Sequence, residues 1–99
     1  MNSEYQIREI LNIENNLIEI FLIIGKNIYY NNEYPEIEKA YFNINNAKQY
    51  LKQNDEIYSM NDINLYIQKI EISIKINGDL YILSNKSNYN LKYILSILE

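Results

Sequence analysis

The spacing of hydrophobic and polar residues is clearest in residues 65–76, where isoleucines at every second position from Ile70 to Ile76 alternate with polar residues. Such alternation is typical of a strand with one buried face. Asn77 and Gly78 follow, and this dipeptide is the strongest short signal for a two-residue hairpin turn, because both residues tolerate a positive φ. The sequence therefore predicts a hairpin with two cross-strand pairs: Ile74 with Tyr81 and Ile72 with Leu83.

A second hydrophobic run covers residues 17–24, and its second half is apolar on both faces. That pattern is typical of a central strand covered on both sides. Asn15-Asn16 before the run and Gly25-Lys26 after it suit two-residue turns, since Asn and Gly accept a positive φ. The two turns predict a three-stranded meander over residues 4–31. Its cross-strand pairs are Ile13 with Ile18, Leu11 with Ile20, Ile23 with Ile28, and Leu22 with Tyr29.

The first segment of that meander, residues 4–13, fits two patterns. Apolar and polar residues alternate over most of its length, which favours a strand. Ser3 and Gln6 are nevertheless spaced as a helix capping box. The segment also contains one helical face, made of Ile7, Ile10 and Leu11. The alternation favours the strand, and the helix stays open as the alternative.

Two helices are predicted farther along the chain. A short strand over residues 38–42 leads to Asn43, a suitable N-cap for a helix over residues 44–53. Phe42 before the cap and Ala47 on the first turn are placed as in a hydrophobic staple. The buried stripe of this helix is predicted from its spacing to be Ala47, Tyr50 and Leu51.

The second predicted helix covers residues 89–98, after a polar break at residues 85–88. Its apolar residues recur at the spacing of one helical face: Leu91, Ile94, Leu95 and Leu98. The predicted order is β-β-β-(β)-α-β-β-α. We therefore expect a single α+β domain over residues 1–99, with an antiparallel sheet of about five strands and two helices packed on one face.

Composition limits the partners of this domain. Ile, Asn, Lys and Tyr dominate the 99 residues, and their A/T-rich codons indicate a low-GC bacterium or one of its phages. The net charge is −4, and the lysines are dispersed among acidic residues. Nucleic acids and anionic membranes bind clustered cations, so neither is an expected direct partner. The longest apolar run, Ile20 to Ile24, is too short to span a membrane, and no secretory signal is visible, so we expect a cytoplasmic protein.

The chain lacks most of the residues that carry catalysis. It has no Cys and no His, which excludes disulfides, thiolate ligands, imidazole ligands and the commonest general base. Gly-rich phosphate loops are absent as well. The remaining candidates are Glu36 with Glu38, Asp55-Glu56 with Asp62, and Ser84 with Lys86. Each is better explained by a solvated face or a polar turn, so we expect no enzymatic activity, no metal and no cofactor.

The eleven tyrosines are more informative, particularly those between residues 29 and 41. Tyrosine provides a large contact area at a small entropic cost and is enriched at interface hot spots. Neighbouring carboxylates would complement a basic partner, and Pro35 would stiffen the loop. The predicted partner-binding residues are Tyr29, Tyr30, Glu33, Tyr34, Glu36, Glu38 and Tyr41. The alternative interpretation is that many tyrosines occupy Phe-like positions because of codon bias.

These features predict a non-catalytic protein-binding inhibitor that blocks a basic, nucleic-acid-binding surface of a host defence enzyme. In size, charge and codon bias the chain resembles small acidic phage proteins that disarm host defence, anti-CRISPR proteins among them, although it carries no motif of a particular family. An antitoxin or immunity protein that caps a toxin fits the same residues. A small carboxylate-dependent enzyme or small-molecule binder is the third alternative. A homodimer, paired through residues 79–84 and 89–98, is compatible with all three.

Overall fold

A computed structural model describes residues 3–13, 17–29, 36–83 and 89–99, and the predicted α+β class is confirmed. The described residues form three helices and four strands, where two helices and about five strands were predicted. In chain order these are α1 (Ser3–Ile13), β1 (Ile18–Asn27), β2 (Glu36–Tyr41), α2 (Ile44–Met60), β3 (Ile63–Ile74), β4 (Leu80–Leu83) and α3 (Leu91–Ile97). The predicted turn at Asn15-Asn16 and the polar break at residues 85–88 lie outside the described residues.

The four strands form one antiparallel sheet in the order β2-β1-β3-β4. β1 pairs with β3 along its whole length, from Ile18 opposite Ile72 to Asn27 opposite Ile63. Because β2 and β3 are both antiparallel to β1, they run parallel to each other. Parallel strands need a long crossover connection, and α2 supplies it. α2 therefore lies on one face of the sheet, where it contacts β1 and its two neighbours, β2 and β3.

β1 is the central element of two hydrophobic cores. Its even-numbered residues pack with α1 and α3, together with Ile70 and Ile72 of β3. Ile23, on the other face, packs with Tyr41, Ala47 and Leu65 beneath α2. Successive strand residues point to opposite faces, so the run of apolar residues in β1 serves both cores. The prediction that this strand is covered on both sides is confirmed.

The helices lie on both faces of the sheet, so the prediction of two helices on one face is wrong. α1 and α3 share one face, and α2 covers part of the other. The spacing within each predicted helix was correct, but spacing shows only that a face is buried. Which side of the sheet receives that face depends on the direction of the chain between strands.

Residues 3–13 form a helix, and the favoured strand assignment is therefore wrong. Ile7 and Leu11 are completely or almost completely buried, and Ile10 packs beside them. These residues are the helical face of the alternative interpretation. Tyr5, which the alternating pattern placed on the buried side, is exposed. With α1 helical, the meander over residues 4–31 and its pairs Ile13–Ile18 and Leu11–Ile20 do not form.

Gly25 and Lys26 do not make a turn, because β1 continues through them to Asn27. Gly25 lies opposite Leu65 of β3 on one side and Glu36 of β2 on the other. The predicted pairs Ile23–Ile28 and Leu22–Tyr29 are therefore wrong. Pairing with two neighbouring strands overrides the local preference of this Gly-Lys dipeptide for a turn.

The hairpin of β3 and β4 forms where it was predicted, but its register differs by one residue. Ile74 pairs with Leu80 and Ile72 pairs with Ile82. Three residues, 76–78, make the connection, with the Gly78 N–H donating to the Lys75 carbonyl and φ of +93° at Gly78. A three-residue loop ending on a left-handed glycine is the next commonest hairpin after the two-residue turn.

The predictions for α2 and α3 are largely confirmed. Asn43 caps α2, its side-chain oxygen accepting from the Asn45 N–H at 2.7 Å, although the helix extends to Met60 rather than residue 53. In α3, Ile94 is buried, and Leu98 beyond it forms a parallel bridge with Ala40. Glu99 continues this bridge, since its N–H donates to the Ala40 carbonyl at 2.9 Å. The end of α3 is thereby fastened to the outer edge of β2.

Candidate functional site

The seven predicted partner-binding residues do not form one exposed face in the described part of the chain. Tyr29 is 74% exposed in the turn after β1, and Glu36 is exposed at the start of β2. Glu38 is half-buried, and Tyr41 retains only 9% of its surface. The other three lie outside the described residues: Tyr30, Glu33 and Tyr34. Tyr41 therefore offers a partner little contact area, whereas Tyr29 and Glu36 offer much more.

Glu38 lies at a bulge in β2. Ile23 of β1 pairs with Lys39 and Ile24 pairs with Ile37, so Glu38 is the extra residue. A bulge bends a strand and redirects a side chain. Here the Glu38 carboxylate reaches α2, where the Tyr58 hydroxyl donates to it at 3.3 Å.

Two α2 tyrosines and Glu38 make a short hydrogen-bond chain. The Tyr50 and Tyr58 hydroxyl oxygens are 3.0 Å apart, and the Tyr50 ring lies 6.3 Å from that of Tyr41. The Lys39 ammonium is 5.8 Å from the Tyr50 ring centre and 3.7 Å from the Glu99 carboxylate. These contacts join α2, β2 and the end of the described chain. They fix the orientation of α2 relative to the edge of the sheet.

Tyr41 and Tyr58 of this cluster have raised pKa values. The hydrogen bond from Tyr50, followed by burial and the charge of Glu38, raises the pKa of Tyr58 well above its usual range. Burial, followed by the nearby charge of Glu99, raises the pKa of Tyr41. A general base must lose its proton near the working pH, so a raised phenol pKa argues against that role. The cluster is best described as a structural connection.

Sequence reasoning missed the exposed apolar residues beside this cluster. Met60 is 78% exposed, Ile57 is also exposed, and both lie in the helical turns beyond the predicted end of α2. Ile28 is exposed in the turn after β1, and its N–H donates to the Asp62 carbonyl at 2.9 Å. That bond holds the end of β1 against the residues that follow α2. The available signal was the apolar pair Ile57 and Met60, three residues apart, beyond residue 53 where the helix was predicted to end.

Three residues of α2 lie along one strip of its surface. Gln53, Ile57 and Met60 are separated by four and three residues, so they share one strip of the helix surface. Toward the start of α2 this strip borders a cavity of about 250 Å³. The residues that line it are Tyr41, Asn46, Gln49, Tyr50 and Gln53. Amide and phenol groups line the cavity, and the exposed aliphatic side chains of Ile57 and Met60 lie farther along α2.

The elements that meet at this end of the sheet also carry acidic residues. Glu36 and Glu56 are exposed and Asp62 is half-buried. Lys26 is also near this end of β1, but its even-numbered position places it on the α1 and α3 side. We call this surface the acidic end, defined by Ile28, Tyr29, Glu36, Glu56, Ile57 and Met60. It combines exposed apolar area with negative charge, which suits contact with a basic, partly apolar surface.

A second cavity, of about 470 Å³, lies between α1, α3 and the hairpin of β3 and β4. Of its five charged residues, Arg8 and Glu4 form an ion pair with each other. Arg8 pairs with Glu4 at 3.1 Å and donates to the Gly78 carbonyl at 2.6 Å. Leu80 and Leu95 supply part of its apolar lining. An anionic ligand would have to compete with these internal contacts, so this cavity is the weaker candidate site.

The two carboxylates that were candidates for catalysis in β2, Glu36 and Glu38, have different surroundings. Glu38 is bonded to Tyr58, whereas Glu36 is exposed at the start of β2. Among residues 3–13, 17–29, 36–83 and 89–99, no three potential metal ligands come together. Ser84 and Lys86 lie outside the described residues. No described helix is both long and apolar enough to cross a membrane.

The acidic end is therefore the surface whose chemistry is best suited to a partner. It keeps Tyr29 and Glu36 of the predicted set and adds Ile28, Ile57 and Met60. Comparisons with protein families, with curated proteins and with solved structures found no match to this chain.

Proposed function

We propose that this chain is a non-catalytic inhibitor that binds a basic, nucleic-acid-binding surface of a host defence enzyme through its acidic end. The observation that supports it most directly is that the turn with exposed Ile28 and Tyr29 is hydrogen-bonded to Asp62, two residues after the exposed Met60. Large exposed apolar side chains close together mark interaction sites on small proteins. The proposal corresponds to an anti-CRISPR-like function on a phage or mobile element.

Each part of the acidic end has a separate role in this proposal. Met60 and Ile57 supply deformable apolar area, and Tyr29 supplies a rigid aromatic anchor. Glu36 and Glu56 increase the rate of encounter with a cationic groove and exclude acidic partners. A groove that binds DNA or RNA is such a surface, since its cations normally neutralise phosphates. Occupying it would block nucleic-acid binding without any bond being broken.

The experiment is affinity capture with the purified chain from low-GC bacterial lysate, with the captured proteins identified by mass spectrometry. We expect a nucleic-acid-processing enzyme whose capture falls as salt is raised from about 0.1 M to about 0.5 M, because salt screens surface charges. Added DNA or RNA should compete with the chain. The captured enzyme, assayed afterwards with its own substrate, should be inhibited by the chain.

Matched variants locate the surface. Met60→Ser and Glu36→Lys should each weaken capture about tenfold or more, as expected for interface hot spots. Ile76→Ser and Glu19→Lys are the controls, since both residues are exposed but neither belongs to the acidic end. Capture that is lost with the controls and kept with the acidic-end variants would overturn the proposed surface. Capture of a toxin without nucleic-acid competition would instead favour the antitoxin alternative.

A further inference from the structure

The two edges of the sheet differ. At the end of β2, the Ala40 carbonyl accepts from the Glu99 N–H, and the N–H of Phe42, the next residue after the strand, donates to the Glu99 carbonyl at 3.0 Å. The Tyr93 hydroxyl donates to the Ile37 carbonyl at 3.4 Å. This edge is therefore closed by the chain itself. β4 forms the other edge, and no strand among the described residues pairs with its outer side.

The sequence of β4 contains little that would prevent pairing. Its four residues are Leu80, Tyr81, Ile82 and Leu83. Natural sheets usually protect an open edge with charges, proline or a bulge. β4 has no charged residue and no proline, and all four side chains are half-exposed. Its shortness is its remaining protection.

The hairpin geometry shows which backbone groups of β4 face outward. The Lys75 N–H donates to the Asp79 carbonyl at 2.8 Å, so Asp79 faces β3. Backbone groups in an antiparallel strand alternate between the two neighbours. Tyr81 and Leu83 therefore bond toward β3, and Leu80 and Ile82 direct their N–H and carbonyl groups away from it.

We propose that β4 pairs antiparallel with β4 of a second copy of this chain, joining the two sheets into one of eight strands. The two-fold axis passes beside Tyr81, which then faces Tyr81 of the second copy. Leu80 faces Ile82 of the second copy, and the reverse pair completes the ladder. In this register the N–H and carbonyl groups of Leu80 and Ile82, the four outward groups of each strand, all form hydrogen bonds. Tyrosine then lies opposite tyrosine, and leucine lies opposite isoleucine.

The register is self-complementary, which is the reason to prefer a second copy over an unrelated strand. An isologous interface needs each residue to tolerate its symmetry mate. Tyr81 opposite itself occupies a non-hydrogen-bonded position, where side chains are closest and aromatic pairs are favourable. Asp79 falls opposite Leu83, so like charges do not face each other within the ladder, and each Lys75 ammonium lies 5.6 Å from the ring centre of its own Tyr81. Leu80 and Ile82 keep their packing against the core of α1 and α3.

The contact is small, and this determines the affinity. Four paired residues bury less than the roughly 1,000 Å² of a stable specific interface. We therefore expect a dimer with a dissociation constant between about 10 µM and about 1 mM. The acidic end lies at the far end of β3 from the hairpin, in a molecule 44 Å long, so dimerisation leaves it accessible.

The test is sedimentation equilibrium of the full chain from about 10 µM to about 3 mM, a range that brackets the expected constant. We expect the average mass to rise toward twice the monomer mass. Tyr81→Glu alone and Tyr81→Lys alone should raise the dissociation constant about tenfold or more, because like charges then face each other across the axis. An equimolar mixture of the two variants should associate again as a heterodimer.

Tyr29→Glu is the matched control, since it adds the same charge at an exposed tyrosine of the acidic end, and its dissociation constant should be unchanged. Circular dichroism checks that each variant is folded. As a second measurement, the amide protons of Leu80 and Ile82 should exchange more slowly at high protein concentration. A chain that stays monomeric at the highest concentration overturns the proposal. So does a dimer that Tyr81→Glu retains, or a variant mixture that does not associate.

Discussion

At the residue scale, the tyrosines show how one residue type serves different purposes. Tyr41 is buried beneath α2, Tyr50 and Tyr58 are bonded to each other, and Tyr29 is exposed. A phenol ring has a large apolar area and one polar atom, so it suits a core, a rim or a contact surface. Composition therefore predicted that tyrosine is important in this chain but could not assign the role of each residue.

Asp62 is the one described residue other than glycine with a positive φ, 63°. It follows Asn61, which caps the C-terminus of α2, and its N–H donates to the Ser59 carbonyl at 3.0 Å. This position is most often glycine, because a Cβ is strained there. The Asp62 carboxylate also lies at the negative end of the helix dipole. Both effects reduce stability.

We therefore predict that Asp62→Gly is more stable than Asp62→Ala by about 1 kcal/mol, because glycine adopts this conformation without strain. Asp62→Asn removes the negative charge and keeps a side chain, so it measures the effect of the charge on stability separately from the effect of the positive φ. Asparagine tolerates the same φ, so it should gain only the few tenths of a kcal/mol that removing the charge provides. Urea unfolding at neutral pH measures all three. Equal stability of the Gly and Ala variants would show that the backbone at residue 62 is not strained.

At the element scale, the predictions from helix capping and helical spacing were confirmed, whereas the predicted cross-strand pairs were not. Asn43 caps α2 because its side chain bonds a neighbouring N–H, which depends on nearby residues alone. The apolar face of α3 was likewise predicted from the spacing of residues within that helix alone. Gly25 suited a turn locally, but ten consecutive pairs between β1 and β3 extend the strand through it. The acidic end was only partly predicted, because the residues after α2 are joined to the turn after β1 by the bond between Ile28 and Asp62, which are far apart in the chain.

Gly25 has a packing role that its sequence neighbourhood does not reveal. A Cβ at this position would lie 2.9 Å from the Glu38 carboxylate and 3.2 Å from Ile63. The missing side chain therefore leaves room for Glu38 to cross β1 and reach Tyr58. Three elements, β1, β2 and α2, depend on this close approach.

We predict that Gly25→Ala lowers the free energy of unfolding by about 1–2 kcal/mol through overpacking. In a Glu38→Ala background the same change should be close to neutral, since the main obstacle is gone and alanine is favoured over glycine in a strand. A double-mutant cycle by urea unfolding measures this coupling. Glu36→Ala is the control, an acid removed from the same strand at an exposed position. Coupling to Glu36 as large as to Glu38 would contradict the packing argument.

At the scale of the whole molecule, β1 joins the two cores. Ile23 and Ile24 are adjacent in the chain, and both are fully buried. Ile23 packs under α2, whereas Ile24 packs under α1 and α3. A core of this size cannot lose one covering layer without exposing the strand that supports the other. We therefore expect the chain to unfold as one unit.

Ile23→Ala and Ile24→Ala test this cooperativity from opposite faces. Each should lower the free energy of unfolding by about 2–4 kcal/mol, the usual cost of truncating a buried isoleucine. Because the cores share β1, both variants should destabilise α2 and α1 equally. When unfolding is followed by NMR at each urea concentration, the signals of Ala47 in α2 and Leu11 in α1 should disappear at the same midpoint.

If α2 unfolded at a lower urea concentration than α1 in Ile23→Ala, the helical layers would be separate folding units. The acidic end, which depends on Met60 of α2, could then be lost while the sheet remained folded.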